Sequence, residues 1–203
     1  MDRPTAVVFD IGNVFVEWDP RFLYEKLIPD PEELTYFLNE VVTLEWHSEH
    51  DRGRPFAEGV RLLSNKFPEY EDLINAFDTR WTETFGTAFQ GTIDIMMSLV
   101  EQGMRVLGLT NFSAEKWPAF CVENSFTDHF EGVVVSGEER LIKPDPRVFQ
   151  NLLSRFELDP ERTIFIDDRH DNIVAAQQLD MIGHQFSEPT ALARFLADHG
   201  LKV

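Results

Sequence analysis

The chain is poor in cysteine: Cys121 stands alone in 203 residues. An intramolecular disulfide is therefore impossible, and a thiolate metal cage is excluded. Basic residues are also scarce, 18 Lys and Arg against 36 Asp and Glu, for a formal net charge of -18. That balance argues against nucleic acid and anionic membrane surfaces as partners, because both are held by clustered positive charge. No apolar run approaches membrane-spanning length. Met1-Asp2-Arg3-Pro4 leads straight into the first apolar run without a signal-peptide pattern, so a cytoplasmic location is expected. Internal repeats and low-complexity segments are missing as well. Apolar content of 43% and charged content of 27% suit a globular protein, long enough for one large domain or a core with a modest insertion. An anionic ligand would have to be attracted locally, by a metal, a lysine or backbone N–H groups.

The patterning changes along the chain. Ala6-Val7-Val8-Phe9 reads as a buried strand ending at Asp10, followed by a glycine-containing loop, Ile11 to Val16, with a short extended flap. From Asp19 to about Phe85 apolar residues recur at helical spacing: Phe22, Leu23 and Leu27, then Leu34, Phe37, Leu38 and Val41, then Phe56, Val60, Leu63 and Phe67, then Leu73, Ile74, Phe77 and Trp81. Pro29, Pro31 and Pro68 divide them into several helices. Strands and helices then alternate, with strands at Met104–Leu109, 133–135, 163–166 and 181–186. This predicts an α/β fold, a doubly wound (Rossmann-like) parallel sheet core built from 1–16 and 87–203, with an inserted all-helical cap over 17–86.

Carboxylates collect where the apolar runs end. Asp10 closes the first strand, and Thr163-Ile164-Phe165-Ile166 stops at Asp167-Asp168. Ligands of parallel sheets sit at the carboxyl ends of the strands, and three acidic groups there would repel one another unless a divalent cation joined them. Oxygen ligands on strand ends suit Mg²⁺, which also bridges to phosphate. Thr110-Asn111-Phe112-Ser113 reaches the same edge, with a hydroxyl and N–H groups able to cradle an anion, although Ser113 also serves as a helix cap. Lys143, stiffened by Pro144 and Pro146, is a candidate neutraliser of phosphate and carboxylate charge. Read singly, Asp10 fits a loop cap better than a catalytic group and Lys143 is as readily a solvated lysine, whereas Asp167-Asp168, ending an apolar run, is better explained by a metal than as an acidic helix start.

Taken together, Val8-Phe9-Asp10-Ile11-Gly12-Asn13-Val14, Leu109-Thr110-Asn111, Lys143-Pro144 and Ile166-Asp167-Asp168 resemble, in order, the four motifs of the haloacid dehalogenase superfamily of hydrolases. The Asp-x-Gly-Asn-Val opening resembles its helical-cap sugar-phosphate phosphatases. The resemblance implies Asp10 as a nucleophile forming an aspartyl-phosphate, and Mg²⁺ held by Asp10, the Gly12 carbonyl and Asp168, with Asp167 in its inner or outer ligand sphere. It further implies Thr110 and the Asn111 N–H on phosphate oxygens, Lys143 orienting Asp10, and a small-molecule phosphate ester as substrate.

One position departs from that pattern: Gly12 stands where those phosphatases carry an acid-base aspartate. Loss of such a group costs about 10² to 10⁴ in rate. His47 and His50, spaced to share a helical face near the end of a cap helix, are candidates to protonate the leaving group and contact substrate, and Trp18 and Trp46 to wall the cleft. Two other readings stay open: a 2-haloacid dehalogenase, disfavoured by Gly12, Asn13 and Asp167-Asp168, and a catalytically weak binding or regulatory protein.

Overall fold

A computed structural model describes residues 3–203. Five strands form one parallel sheet in the order β5-β4-β1-β6-β7: β1 (Ala6–Phe9), β4 (Arg105–Thr110), β5 (Gly132–Val135), β6 (Thr163–Asp167) and β7 (Ile182–Gln185). Two further strands, β2 (Val16–Trp18) and β3 (Phe85–Ala88), pair antiparallel as a separate ribbon. Side chains alternate across the sheet with a period of two. Val7 and Phe9 of β1 and Ile164 and Ile166 of β6 enter one apolar layer, while Ala6, Val8 and Phe165 enter the other. The chain winds outward through β1, β4 and β5, then crosses back to β6 on the other side of β1. That reversal makes the carboxyl ends of β4, β1 and β6 the crevice of the sheet.

Helices cover both faces: α6 (Gln90–Glu101), α7 (Trp117–Glu123), α8 (Ser136–Glu139), α9 (Pro146–Arg155), α10 (His170–Gln177) and α11 (Pro189–Asp198). Between the two ribbon strands lie five more, α1 (Arg21–Tyr24), α2 (Pro31–Tyr36), α3 (Leu44–Asp51), α4 (Phe56–Lys66) and α5 (Glu71–Thr79), with a π-turn over Phe37–Val41. Their starts follow local chemistry. Asp30 accepts the N–H groups of Glu32 and Glu33 ahead of Pro31, and the Thr43 hydroxyl accepts that of Trp46. Tyr24, Phe37, Trp46, Phe56 and Phe77 meet edge-on or stacked between these helices. Between Arg21 and Thr84 every regular element is helical, and the short β2–β3 ribbon stands at the base of this insertion.

Residues 45–53 hold most of α3 and its end at Asp51, and the helix begins at its own Thr43 cap. Among the described residues no helix is long and apolar enough to cross a membrane.

Candidate active site

The turn after β1 is built to present Asp10. Its N–H donates to the Ile166 carbonyl, continuing the β1–β6 pairing, and the chain then folds so that Phe15 N–H reaches the Ile11 carbonyl at 2.9 Å. Asn13 adopts φ 55°, a left-handed conformation that asparagine tolerates, and its Oδ1 accepts the Trp18 N–H at 2.9 Å. Gly12 bridges to Val16, and the turn is closed.

Lys143 is the hub. Its Nζ donates to Asp167 Oδ2 at 2.7 Å and to the Leu109 carbonyl at 2.8 Å, and it lies 2.8 Å from Asp10 Oδ1 in an ion pair. The Asn111 side chain fixes the lysine backbone from both sides: Oδ1 accepts the Lys143 N–H and Nδ2 donates to the Lys143 carbonyl. Asp10 Oδ1 also accepts the Ile11 N–H, so both donors fall on one oxygen of that carboxylate.

Asp167 is the most heavily hydrogen-bonded of the three carboxylates. Its oxygens accept Lys143 Nζ, the Arg169 N–H and, twice, Asn172 Nδ2, so it anchors the lysine and the start of α10. Asp168, half-buried and beside it, is less committed.

Electrostatics follow from burial. Desolvation pushes Asp10 up to about 7, with Asp167 and Asp168 adding to the rise and Lys143 opposing it. Asp168 is likewise raised by burial and by Asp167. Burial alone would discharge Lys143, but Asp10 and Asp167 overcome that and raise it. One ammonium thus faces three carboxylates, which bring one oxygen each to within 4.8 Å of one another. The donor set is all oxygen and carries excess negative charge, as a hard divalent cation requires. The Asn172 Oδ1, buried and without a partner, points to the same need for a further polar ligand or its water.

The cavity above these groups has a volume of about 400 Å³. Its core side carries Asp10, Asn111, Lys143, Asp168, Arg169 and Asn172. The facing side is largely aromatic. Trp18 and Leu44 contribute, and Trp81, Phe85 and Phe112 form a contiguous group with ring centroids 4.8 to 6.3 Å apart. Helix α3 adds His47, Ser48 and Asp51.

Three expected substrate contacts, His50, Trp46 and Thr110, are not among its lining residues. His50 is fully buried, stacked on Phe56 and edge-on to Trp46, with Nδ1 donating to the Arg54 carbonyl at 3.1 Å. Trp46 packs against Phe77 and donates to the Gly59 carbonyl. Both belong to the cap's interior: the side of α3 that faces the cavity is set by His47, Ser48 and Asp51, and the roughly 60° that separates His50 from His47 around the helix is enough to turn its ring inward. Thr110 is buried at the end of β4, beneath the lining. Asp51 is an acidic lining residue that the sequence motifs do not single out. A signal for it exists, since it lies one helical turn beyond His47.

The doubly wound parallel sheet thus carries a buried lysine–carboxylate cluster at its switch point. The family model for haloacid dehalogenase-like hydrolases matches residues 35–182, and the chain belongs to that family. It is 24% identical over 195 residues to a sesquiterpene phosphatase of Aspergillus oryzae, covering 92% of this chain and 91% of that one. Its fold is similar to that of a HAD family enzyme of Bacteroides thetaiotaomicron solved with magnesium and inorganic phosphate (TM-score 0.73, 21% identity, 91% and 94% of the two chains). The fold is also similar to that of an L-2-haloacid dehalogenase of Xanthobacter autotrophicus (TM-score 0.62, 16% identity, 98% and 85% of the two chains).

Proposed function

We propose that this hydrolase is a Mg²⁺-dependent phosphatase that cleaves a phosphate monoester through an aspartyl-phosphate on Asp10. The observation that carries the reading is the Lys143–Asp10 contact at 2.8 Å inside an all-carboxylate cluster, which holds the nucleophile oriented and leaves net negative charge for a cation to balance. Asp10 and Asp168, with the Gly12 carbonyl, would hold Mg²⁺, and Asp167 would act behind them through Lys143. When bound, the cation supplies charge stabilisation for the phosphoryl oxygens. Lys143 fixes the Asp10 carboxylate for attack on phosphorus, and Asn111 fixes Lys143. The Thr110 and Asn111 segment would receive non-transferring phosphate oxygens. Residues 17–86 would serve as the cap that covers the cavity, over a core made of 1–16 and 87–203.

The wall of Trp18, Leu44, Trp81, Phe85 and Phe112 favours an apolar organic group on the ester over a polyhydroxylated sugar, whose hydroxyls would lose water there without enough partners. The similarity to a sesquiterpene phosphatase supports the same choice.

Phosphate release from a panel that includes farnesyl phosphate, decyl phosphate and glucose 1-phosphate tests this, with and without Mg²⁺, for wild type and Asp10→Asn. Mg²⁺-dependent release favouring the apolar esters, abolished in Asp10→Asn, is expected. Equal release by wild type and variant would remove Asp10 as nucleophile.

A further inference from the structure

Resting on the phosphatase reading, we propose that Asp51 of α3 is the proton donor to the leaving-group oxygen, taking the place left vacant at Gly12, with His47 as its positioning residue. Gly12 lines the cavity, and a Cβ built on it meets nothing within 4 Å, so the space beside the nucleophile is open where an acid side chain would stand. Asp51 lines the same cavity from the cap, with its side chain only 9% exposed. His47 Nε2 lies 3.4 Å from Asp51 Oδ2, and the imidazole is itself held by stacking on Trp18 at 4.6 Å.

The end of α3 is tied to the core. The Ser136 hydroxyl donates to the Asp51 carbonyl at 2.7 Å and accepts the Phe112 N–H at 2.9 Å, joining the cap helix to the loop that follows β4. The backbone at Asp51 is thereby fixed beside the crevice, and the carboxyl itself is placed by His47.

The charges around it suit proton exchange near neutral pH. Burial pushes Asp51 up to about 7, against the lowering pull of Lys143 across the cavity and of Arg52. Burial also drives His47 down to about 4, so the ring stays neutral. On α8, which packs against this helix, Glu138 is exposed and Glu139 is engaged by Asn151 and Arg155. The buried face of α4 is Phe56, Gly59, Val60 and Leu63, without charge.

In the first half-reaction an Asp10 oxygen forms a bond to phosphorus as the ester P–O bond breaks, and the departing oxygen takes the Asp51 proton, releasing the alcohol. In the second, Asp51 carboxylate takes a proton from water as that water oxygen bonds phosphorus and the Asp10–phosphorus bond breaks. Phosphate leaves and Asp51 is protonated again.

An unactivated alcohol needs that proton; a nitrophenolate does not. Single-turnover release of the organic product from decyl phosphate and from p-nitrophenyl phosphate, with Mg²⁺, therefore separates a donor from a structural residue. Asp51→Asn is expected to slow decanol release by about 10² to 10⁴ while slowing nitrophenol release by less than about tenfold. Equal losses on the two esters, or no loss on either, would overturn the proposal. The wild type gives a second measurement free of folding effects: the decyl/nitrophenyl rate ratio should fall as pH rises through about 7. A ratio constant from pH 6 to 8.5 would also overturn it. Absence of phosphate release from both esters by wild type would instead remove the phosphatase reading, and this proposal with it.

Discussion

Lys143 and Asp167, 24 residues apart in sequence, meet at 2.7 Å with side chains 1% and 0% exposed. The same ammonium holds Asp10, so the ion pair that stabilises the sheet edge also orients the nucleophile. Removing the cation leaves two buried carboxylates without it. Lys143→Met is expected to cost about 3–5 kcal/mol, as breaking a buried pair does, measured by urea unfolding.

Asp168 rather than Asp167 should decide metal affinity, because Asp167 is committed to Lys143, Arg169 and Asn172. Mg²⁺ is expected to raise the melting temperature of wild type, since a ligand that binds only the native state stabilises it. In Asp168→Asn that shift should largely vanish at the same Mg²⁺ concentration. A full shift in the variant would move the cation elsewhere.

Trp18 lines the cavity and backs His47, while its backbone N–H, not its ring, serves the Asn13 turn. Trp18→Ala should therefore keep the fold and lower kcat/KM for decyl phosphate by at least about tenfold, the scale of lost apolar contact in a pocket. Methyl phosphate, too short to use the aromatic wall, should lose less, keeping only the part of the loss that passes through His47 to Asp51.

His50 carries a pH signature. Its folded-state pKa is lowered to about 4 by burial, below the ordinary 6.5, so the unfolded chain takes up the proton first. The stability it contributes is full above about pH 6.5 and is lost as pH falls toward 4. The unfolding free energy of wild type minus that of His50→Gln should shrink over that window. His47 titrates in the same direction in both proteins and cancels in the difference.

Gly59 is needed for packing, not for backbone freedom: a Cβ there would run into the His50 ring. Gly59→Ala is expected to cost about 1–3 kcal/mol by overpacking, and the loss should be smaller in the His50→Ala background, as thermal unfolding of the four proteins would show.

The fold was legible because its signals are local. The β-branched runs at 6–9 and 163–166, the helical spacing from Phe22 to Trp81 and the later alternation each report their own burial, and they recur as strands and helices. The β2–β3 ribbon was not legible as a pair, since Val16–Trp18 and Phe85–Ala88 are short, far apart and joined only by tertiary pairing. In the site, Asp10, Lys143 and Asp168 were visible as residues at strand ends or stiffened turns. The direction of α3 was not: a helix whose polar and aromatic residues are mixed along its length does not announce its buried face, and His47 turned to the cavity while His50 and Trp46 turned away.

By itself the sequence pointed to three carboxylates at the carboxyl edge of a parallel sheet, because short β-branched runs such as Ala6–Phe9, set in a strand–helix alternation, read as buried strands and the residues immediately after them emerge at the crevice. Only the tertiary structure decided how those carboxylates divide: Asp167 bound into Lys143 and Asn172, Asp10 held through one oxygen, and Asp168 less committed. Only it brought Asp51 across from the cap to the cavity that Gly12 lines. The physical reason is that a hydrogen-bond partner tens of residues away is chosen by packing, and spacing along a chain carries no record of it.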